Sequence, residues 1–313
     1  MAPQGNHRSK DSVFSFMKRV LLVASVGLLS VPSLPAGAET RGTIGFMRLM
    51  GRFGNGPSEI FTMGPGGRHR QRLTHNEVSE SGPSFSPKGG RIAFSVGGAT
   101  YDSDLFLMSA SGKRRRSVAD MPGGNGGVDW SPDGKLLVFH RMRPRTRGDI
   151  YTIRPNGRGL RRLTGGRVGD RSPTWSPDGD RIAFISFRGS GRDEVWTMDP
   201  DGGNFDRVTR NAIVCQSGCE ARYGGFNGLA WAPGGDRLVF AANKGDGPSE
   251  IWIVNEDGSG LRRVTAGTYP AWSPYGGRIV YSYQGAIYKI KPDGTGRVRL
   301  TKKRNDYLPD WGA

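Results

Sequence analysis

Residues able to do chemistry are few here, and they are scattered. The chain holds only four histidines in 313 residues, and no Gly-x-Ser-x-Gly nucleophile elbow occurs. Beyond the N-terminal segment the histidines are His69, His75 and His140. Asp129 and Asp310 each stand directly before a tryptophan, at a place where similar segments carry Ser84, Thr174, Ala230 and Ala271. Two such carboxylates could hold a cation, accept from backbone amides, or, if 5 to 10 Å apart, serve as acid and base on a glycosidic bond. Arginine clusters in His140-Arg-Met-Arg-Pro-Arg-Thr-Arg147, with Arg167, Arg171, Arg188 and Arg192 further on. The forks of Arg141, Arg143, Arg145 and Arg147 suit carboxylate or phosphate. Cys215 and Cys219 are the only cysteines. In an exported chain they are expected to form a local disulfide, because a zinc site would want two further ligands. The acidic turns Asp199-Pro-Asp-Gly202, Asn255-Glu-Asp-Gly258 and Lys291-Pro-Asp-Gly294 lack the alternating oxygen ligands and closing Glu of a calcium loop, and read as hairpin turns.

These groups must be positioned by a turn-rich chain, since Gly 50 and Pro 20 exclude helical bundles and coiled coils. A repeat recurs as Trp130-Ser-Pro-Asp-Gly, Trp175-Ser-Pro-Asp-Gly, Trp231-Ala-Pro-Gly-Gly and Trp272-Ser-Pro-Tyr-Gly, with Phe85-Ser-Pro-Lys-Gly as a fifth copy. A basic residue and an apolar run follow each copy, as in Arg181-Ile-Ala-Phe184. These runs are apolar on both faces, so each strand must be covered on both sides. A further apolar strand, a Gly-bearing turn and a strand ending in Thr complete each unit, as in Asp149 to Thr164. Four antiparallel strands in about 45 residues are the footprint of a β-propeller blade. The N-terminus lacks the leading aromatic strand, and Tyr307-Leu-Pro-Asp-Trp311 supplies it. The expected fold is therefore all-β, a six-bladed propeller of four-stranded antiparallel blades over residues 39–313, closed by a composite blade from both termini. The aromatics Phe85, Trp130, Trp175, Trp231, Trp272 and Trp311 are expected to form core between blades.

The first 38 residues read as a secretory signal peptide: Lys18 and Arg19, an apolar run from Val20 to Val31, then Ala36-Gly37-Ala38. The run is too short for a bilayer, which needs about 20 residues. Cleavage leaves a charge of +14 from the +17 of the whole chain, which favours acidic partners. No nucleic-acid motif occurs.

The Pro-x-Trp-Ser-Pro-Asp-Gly-x-x-Ile-Ala-Phe pattern with a trailing Arg-Arg-Leu-Thr resembles the TolB-type β-propeller repeat, a relative of WD-type blades, over residues 42–311. In that family the best-known member is a periplasmic protein of the Tol-Pal envelope system. Its propeller docks a peptidoglycan-associated lipoprotein and follows a separate α/β domain. Here only residues 39–41 separate the expected cut from the first strand. The resemblance implies a soluble, exported, monomeric, non-catalytic scaffold that binds a protein or an acidic envelope polymer and needs no cofactor. A propeller enzyme acting on envelope carbohydrate is the alternative. The His140–Arg147 cluster, with Arg167, Arg171, Arg188 and Arg192, is expected on the rim of the longer loops, where propeller ligands commonly meet. Exported protein is expected to begin at Glu39; N-terminal sequencing that finds residues 1–38 retained would contradict the leader assignment.

Overall fold

Strands buried on both faces need neighbours on both faces, and small twisted sheets stacked around an axis provide them. The computed structural model describes residues 41–313 except 52–54, 98–101, 120, 144–147, 167, 190–192, 211–227, 244–247 and 303–304. The expected signal peptide and both cysteines lie outside the described residues.

The described chain opens with β1 (Thr43–Leu49), β2 (Ser58–Met63) and β3 (Gln71–Arg72). Next come β4 (Glu80–Phe85), β5 (Arg91–Gly97), β6 (Asp102–Ser109) and β7 (Arg116–Ala119), then β8 (Gly123–Trp130), β9 (Leu137–Met142), β10 (Asp149–Ile153) and β11 (Arg161–Arg162). A third group is β12 (Asp170–Trp175), β13 (Ile182–Ser186), β14 (Glu194–Met198) and β15 (Asp206–Arg207). A fourth is β16 (Leu229–Trp231), β17 (Arg237–Ala242), β18 (Glu250–Asn255) and β19 (Arg262–Ala266). The last is β20 (Thr268–Trp272), β21 (Ile279–Tyr283), β22 (Ala286–Ile290) and β23 (Val298–Arg299), before β24 (Asp306–Gly312). The fold is an all-β propeller of antiparallel four-stranded blades.

The expected separation into six sheets is not what is found. Among the described residues there are four four-stranded sheets and one eight-stranded sheet that runs from β11 to β4, with β7 on β6. The merger is a short parallel contact, Asp102 opposite Gly123 and Ser103 opposite Gly124. Asn125 stitches it: its amide donates to Ser103 O (2.6 Å), Gly123 O (3.1 Å) and Met121 O (3.2 Å), while Ser103 Oγ donates to Asn125 O (3.0 Å). The glycines around Asn125 let the two backbones approach, which the repeat pattern does not announce.

Each aromatic before a Ser/Ala-Pro turn wedges into the preceding blade. Trp130 packs with Ala93, Leu105 and Leu107, Trp175 with Val138 and Ile150, and Trp272 with Val239, Ile251 and Ile253. The turns themselves are as expected: Gly134 N donates to Ser131 O at 2.8 Å with Gly134 at φ 69°. The trailing Arg-x-Thr also finds its reason. Arg72 pairs with buried Glu59 at 2.8 Å and donates through Nε to Thr74 O, while Thr74 Oγ1 accepts from Ile60 N and donates to Glu59. Arg162, Asp149 and Thr164 repeat this device, as do Arg207, Glu194 and Thr209. It fastens outer strands of only two residues, a length that blunts exposed edges.

Closure joins the chain ends in one sheet, β24-β1-β2-β3, with Ile44 opposite Trp311. Arg48 makes a two-pronged pair with fully buried Asp306 (2.5 and 3.0 Å) and stacks on Phe61 at 4.5 Å. Replacing Arg48 by Met strands that carboxylate and is expected to cost about 3–5 kcal/mol. Urea unfolding checks this, and a loss below 1 kcal/mol would show that closure does not depend on the pair.

Candidate functional site: the axial tunnel

The innermost strands β4, β8, β12, β16, β20 and β24 line a tunnel that widens into cavities of about 140 Å³ and about 290 Å³ on its two sides. Both cavities share a waist of Ser84, Asp129, Thr174, Ala230, Ala271 and Asp310, the positions aligned in the sequence. The smaller cavity is ringed by a feature that the repeat does not show directly. In every inner strand the residue two before the waist is left-handed: Gly82, Gly127, Ser172, Gly228, Tyr269 and Leu308, with φ between 51° and 65°. Ladder registers shift at the same places, as between Ser81 and Ser84 and between Arg171 and Thr174, so these are bulges that turn each strand at the axis. Pro83, Pro173, Pro270 and Pro309 follow four of them, and proline has no ladder N–H to lose there. At Gly127 the requirement is double, because a Cβ would also sit 2.8 Å from His140 Nδ1. The prolines two residues before the aromatics were the available signal for this collar.

Asp129 bridges three inner strands, β4, β8 and β12. Its Oδ1 accepts from Trp130 N (2.9 Å) and Ser84 Oγ (3.4 Å), its Oδ2 from Thr174 Oγ1 (2.9 Å) and Trp175 N (2.9 Å). Asp310 Oδ2 accepts from Phe85 N at 2.8 Å. Burial raises the Asp129 pKa against the pull of these amides and hydroxyls. Burial likewise pushes Asp310 up to about 6, opposed by the Phe85 amide and reinforced by the charge of Asp129. Amide capping is thus the visible work of both carboxylates. At the waist these two carboxylates stand beside the hydroxyls of Ser84 and Thr174, and among the described residues no group of three or more His, Cys, Asp or Glu could hold a metal ion.

The arginines expected on the rim are not an open patch where they are described. His140 is buried on β9, with Ser172 N pointing at its Nδ1 (3.4 Å); burial and the charge of Arg171 lower its pKa to about 3, so it is neutral. Arg141 donates to Pro122 O (2.6 and 3.1 Å), and Arg143 pairs with Asp149 (3.0 Å). Arg171 pairs with Asp193, and Arg188 with Asp170 (2.8 Å) under the Phe205 ring. The acids at or beside strand starts, Asp149, Asp170 and Asp193, bind these guanidiniums internally. Arg145, Arg147, Arg167 and Arg192 lie outside the described residues.

Residues 99–222 match the family model described as the TolB beta propeller domain. The fold is similar to TolB from Acinetobacter baumannii (TM-score 0.72, 20% identity, 88% of this chain and 67% of that one). It is also similar to a putative TolB from Agrobacterium tumefaciens (0.64, 20%, 86% and 91%). A chain of a nidogen/laminin complex matches at 0.67 with 12% identity, over 87% of this chain and 99% of that one. No curated protein matches in sequence. The chain thus resembles the TolB-type propeller over residues 99–222, and the solved structures share its fold.

A raised carboxylate is protonated in the folded state over a range where the unfolded chain has released its proton, so it destabilises the fold as pH climbs from about 4 to about 6. His140, held down at about 3, acts with the opposite sign over nearly the same range. The difference between Asp310→Asn and the parent isolates the first effect. The variant is expected to gain about 1–2 kcal/mol at pH 7 and nothing at pH 4; urea midpoints that do not diverge between these pH values would contradict the assignment.

Proposed function

We propose that the protein is an exported six-bladed propeller, with residues 1–38 as its leader, and a non-catalytic scaffold that receives a protein partner of the cell envelope at the tunnel mouth. The blade count rests on treating the eight-stranded sheet as two blades, β4 to β7 and β8 to β11, each with its own bulge at Gly82 and Gly127. Export rests on the leader pattern, and no helix among the described residues is long and apolar enough to cross a membrane.

The observation that carries the scaffold reading is the waist. Both oxygens of Asp129 are engaged with amides and hydroxyls of three blades, which leaves that carboxylate poorly placed to attack, to activate water or to share a proton. Match to the TolB beta propeller domain supports the same reading. One observation favours the enzyme alternative: Asp310 at about 6 is poised as a general acid in the manner of a glycosidase. A lyase-type propeller, an oligogalacturonate lyase in complex with manganese, is among the similar folds (TM-score 0.51, 12% identity, 71% of this chain and 67% of that one).

Ala230 lines both cavities, so Ala230→Trp should plug the waist. The expected result is that purified protein captures one protein from envelope extract and that the plugged variant, folded by circular dichroism, does not. Release of sugar ends from envelope polysaccharide that vanishes in Asp310→Asn would overturn the scaffold reading.

A further inference from the structure

The hairpins joining the third and fourth strands of successive blades form one row around the circumference. In each, a left-handed glycine rests on the outer strand of the preceding blade. A Cβ on Gly112 would stand 2.7 Å from Leu73 O, on Gly157 2.5 Å from Val118 O, on Gly202 2.6 Å from Leu163 O, and on Gly258 2.5 Å from Val208 O. The hairpins are therefore spatial neighbours in chain order, and so are their charges.

Those charges are segregated. The hairpin before β3 exposes Arg68 and Arg70, and the one before β7 exposes Lys113 and Arg114, with Arg116 at its end. The next, before β11, exposes Arg154 and Arg158, with Arg161 at its end. Residues 64–72, 109–116 and 154–162 contain no acid at all. Arg72, Arg115 and Arg162 turn inward to Glu59, Glu80 and Asp149. For the others, no carboxylate among the described residues lies within ion-pair distance. Three of them are braced on neighbouring backbone, Arg70 on Leu300 O (2.6 Å), Arg116 on Pro155 O (2.6 Å) and Arg161 on Asp201 O (2.8 Å), with further guanidinium donors to offer.

The next hairpin reverses the sign, with Asp199, Asp201 and Asp206, and the two after it are mixed: Glu256 and Asp257 stand with Arg262, and Asp293 with Lys291, Arg297 and Arg299. Burial raises the Glu256 pKa; Arg181 opposes the shift, and Asp178, Asp206 and Asp257 add to it, so these acids do gather in space. Turn geometry does not impose this split. Asp201, Asp257 and Asp293 each accept the N–H two residues on (3.0, 2.8 and 2.8 Å), and Asn156 does so at 3.0 Å without a charge. The turn does not require a charge there: Asn156 supplies the oxygen uncharged, and Gly66 holds the equivalent place with no side-chain oxygen at all.

We propose that this arc is a docking track for a linear phosphate-bearing polymer laid along the circumference. Nearly all its cations are arginines, whose forks grip phosphate in two-pronged fashion. An anionic membrane fits less well: a plane pressed on the row would also meet the acidic hairpins, and Leu160 is the sole large apolar residue exposed among residues 64–72, 109–116 and 154–162. A second copy is opposed by the mutual repulsion of chains that carry +14 once residues 1–38 are removed.

The test is fluorescence anisotropy of labelled linear inorganic polyphosphate with the full-length exported protein over a range of sodium chloride. Binding is expected to weaken linearly on log–log axes, by about 0.7 in slope for each phosphate neutralised, as with single-stranded polyanions. The variant Arg68→Ser, Arg114→Asn, Arg154→Ser, Arg158→Ser should keep its melting temperature, because these side chains donate no hydrogen bond among the described residues and Asn tolerates the left-handed φ of Arg114. It should lose about tenfold or more in affinity, with a slope shallower by about 3. Ala230→Trp should bind polyphosphate like the parent, which separates failure of the track from failure of the tunnel reading. Unchanged binding in the quadruple variant would overturn the proposal. So would binding to phosphatidylglycerol vesicles without binding to polyphosphate, or self-association that the variant abolishes.

Discussion

Convergence of strands on one axis is the constraint from which the remaining features follow. Six inner strands cannot run straight past one another within a tunnel this narrow, and each is bent by a left-handed residue just before the waist. Glycine takes that conformation at little cost, whereas Ser172, Tyr269 and Leu308 hold it at about 1 kcal/mol or more each. The bend breaks the inner ladder, so amides of the next residues need acceptors from elsewhere. Asp129 and Asp310 provide them across the blade boundary, to Trp175 N and Phe85 N. The carboxylates at the centre are thus a consequence of bending the strands, and their chemistry must be read through that role.

A second economy governs the periphery. Acids at strand starts, Glu59, Asp149, Asp170 and Glu194, are buried and each is met by an arginine from its own blade. A buried carboxylate without such a partner would be severely destabilising, so arginines near strand ends are claimed before any ligand is considered. The same reasoning explains why Arg143, Arg171 and Arg188 do not form an open patch although their spacing suggests one.

Legibility follows from which forces act locally. The Trp-Ser-Pro turn, the doubly apolar strand and the Arg-x-Thr end are set by residues within one repeat, so blades, hairpins and the aromatic wedges could be read directly. Ring closure could be read as well, because Tyr307 to Trp311 lacks any partner strand except β1. The eight-stranded sheet could not, since its junction rests on a two-residue parallel contact fastened by Asn125 and Ser103, which stand 22 residues apart. Nor could the fate of the arginines, because an exposed and a paired guanidinium look alike until the distant acid is placed. His140 is the sharpest case: it heads an arginine-rich string, yet strand alternation turns it inward against Gly127 and Ser172 while Arg141 turns out.

What remains variable is what the architecture leaves unconstrained. Core positions repeat because every blade needs the same wedge, and turn positions repeat because every hairpin needs the same left-handed glycine. Charge on the outer hairpins answers to neither demand, since Asn156 and Asp201 close equivalent turns with the same acceptor geometry. Acids stand only on the hairpins of residues 199–206, 255–258 and 291–296. Their confinement to adjacent blades, beside an uninterrupted run of cations, gives an otherwise repetitive ring a direction, and a binding partner that follows the ring could sense it.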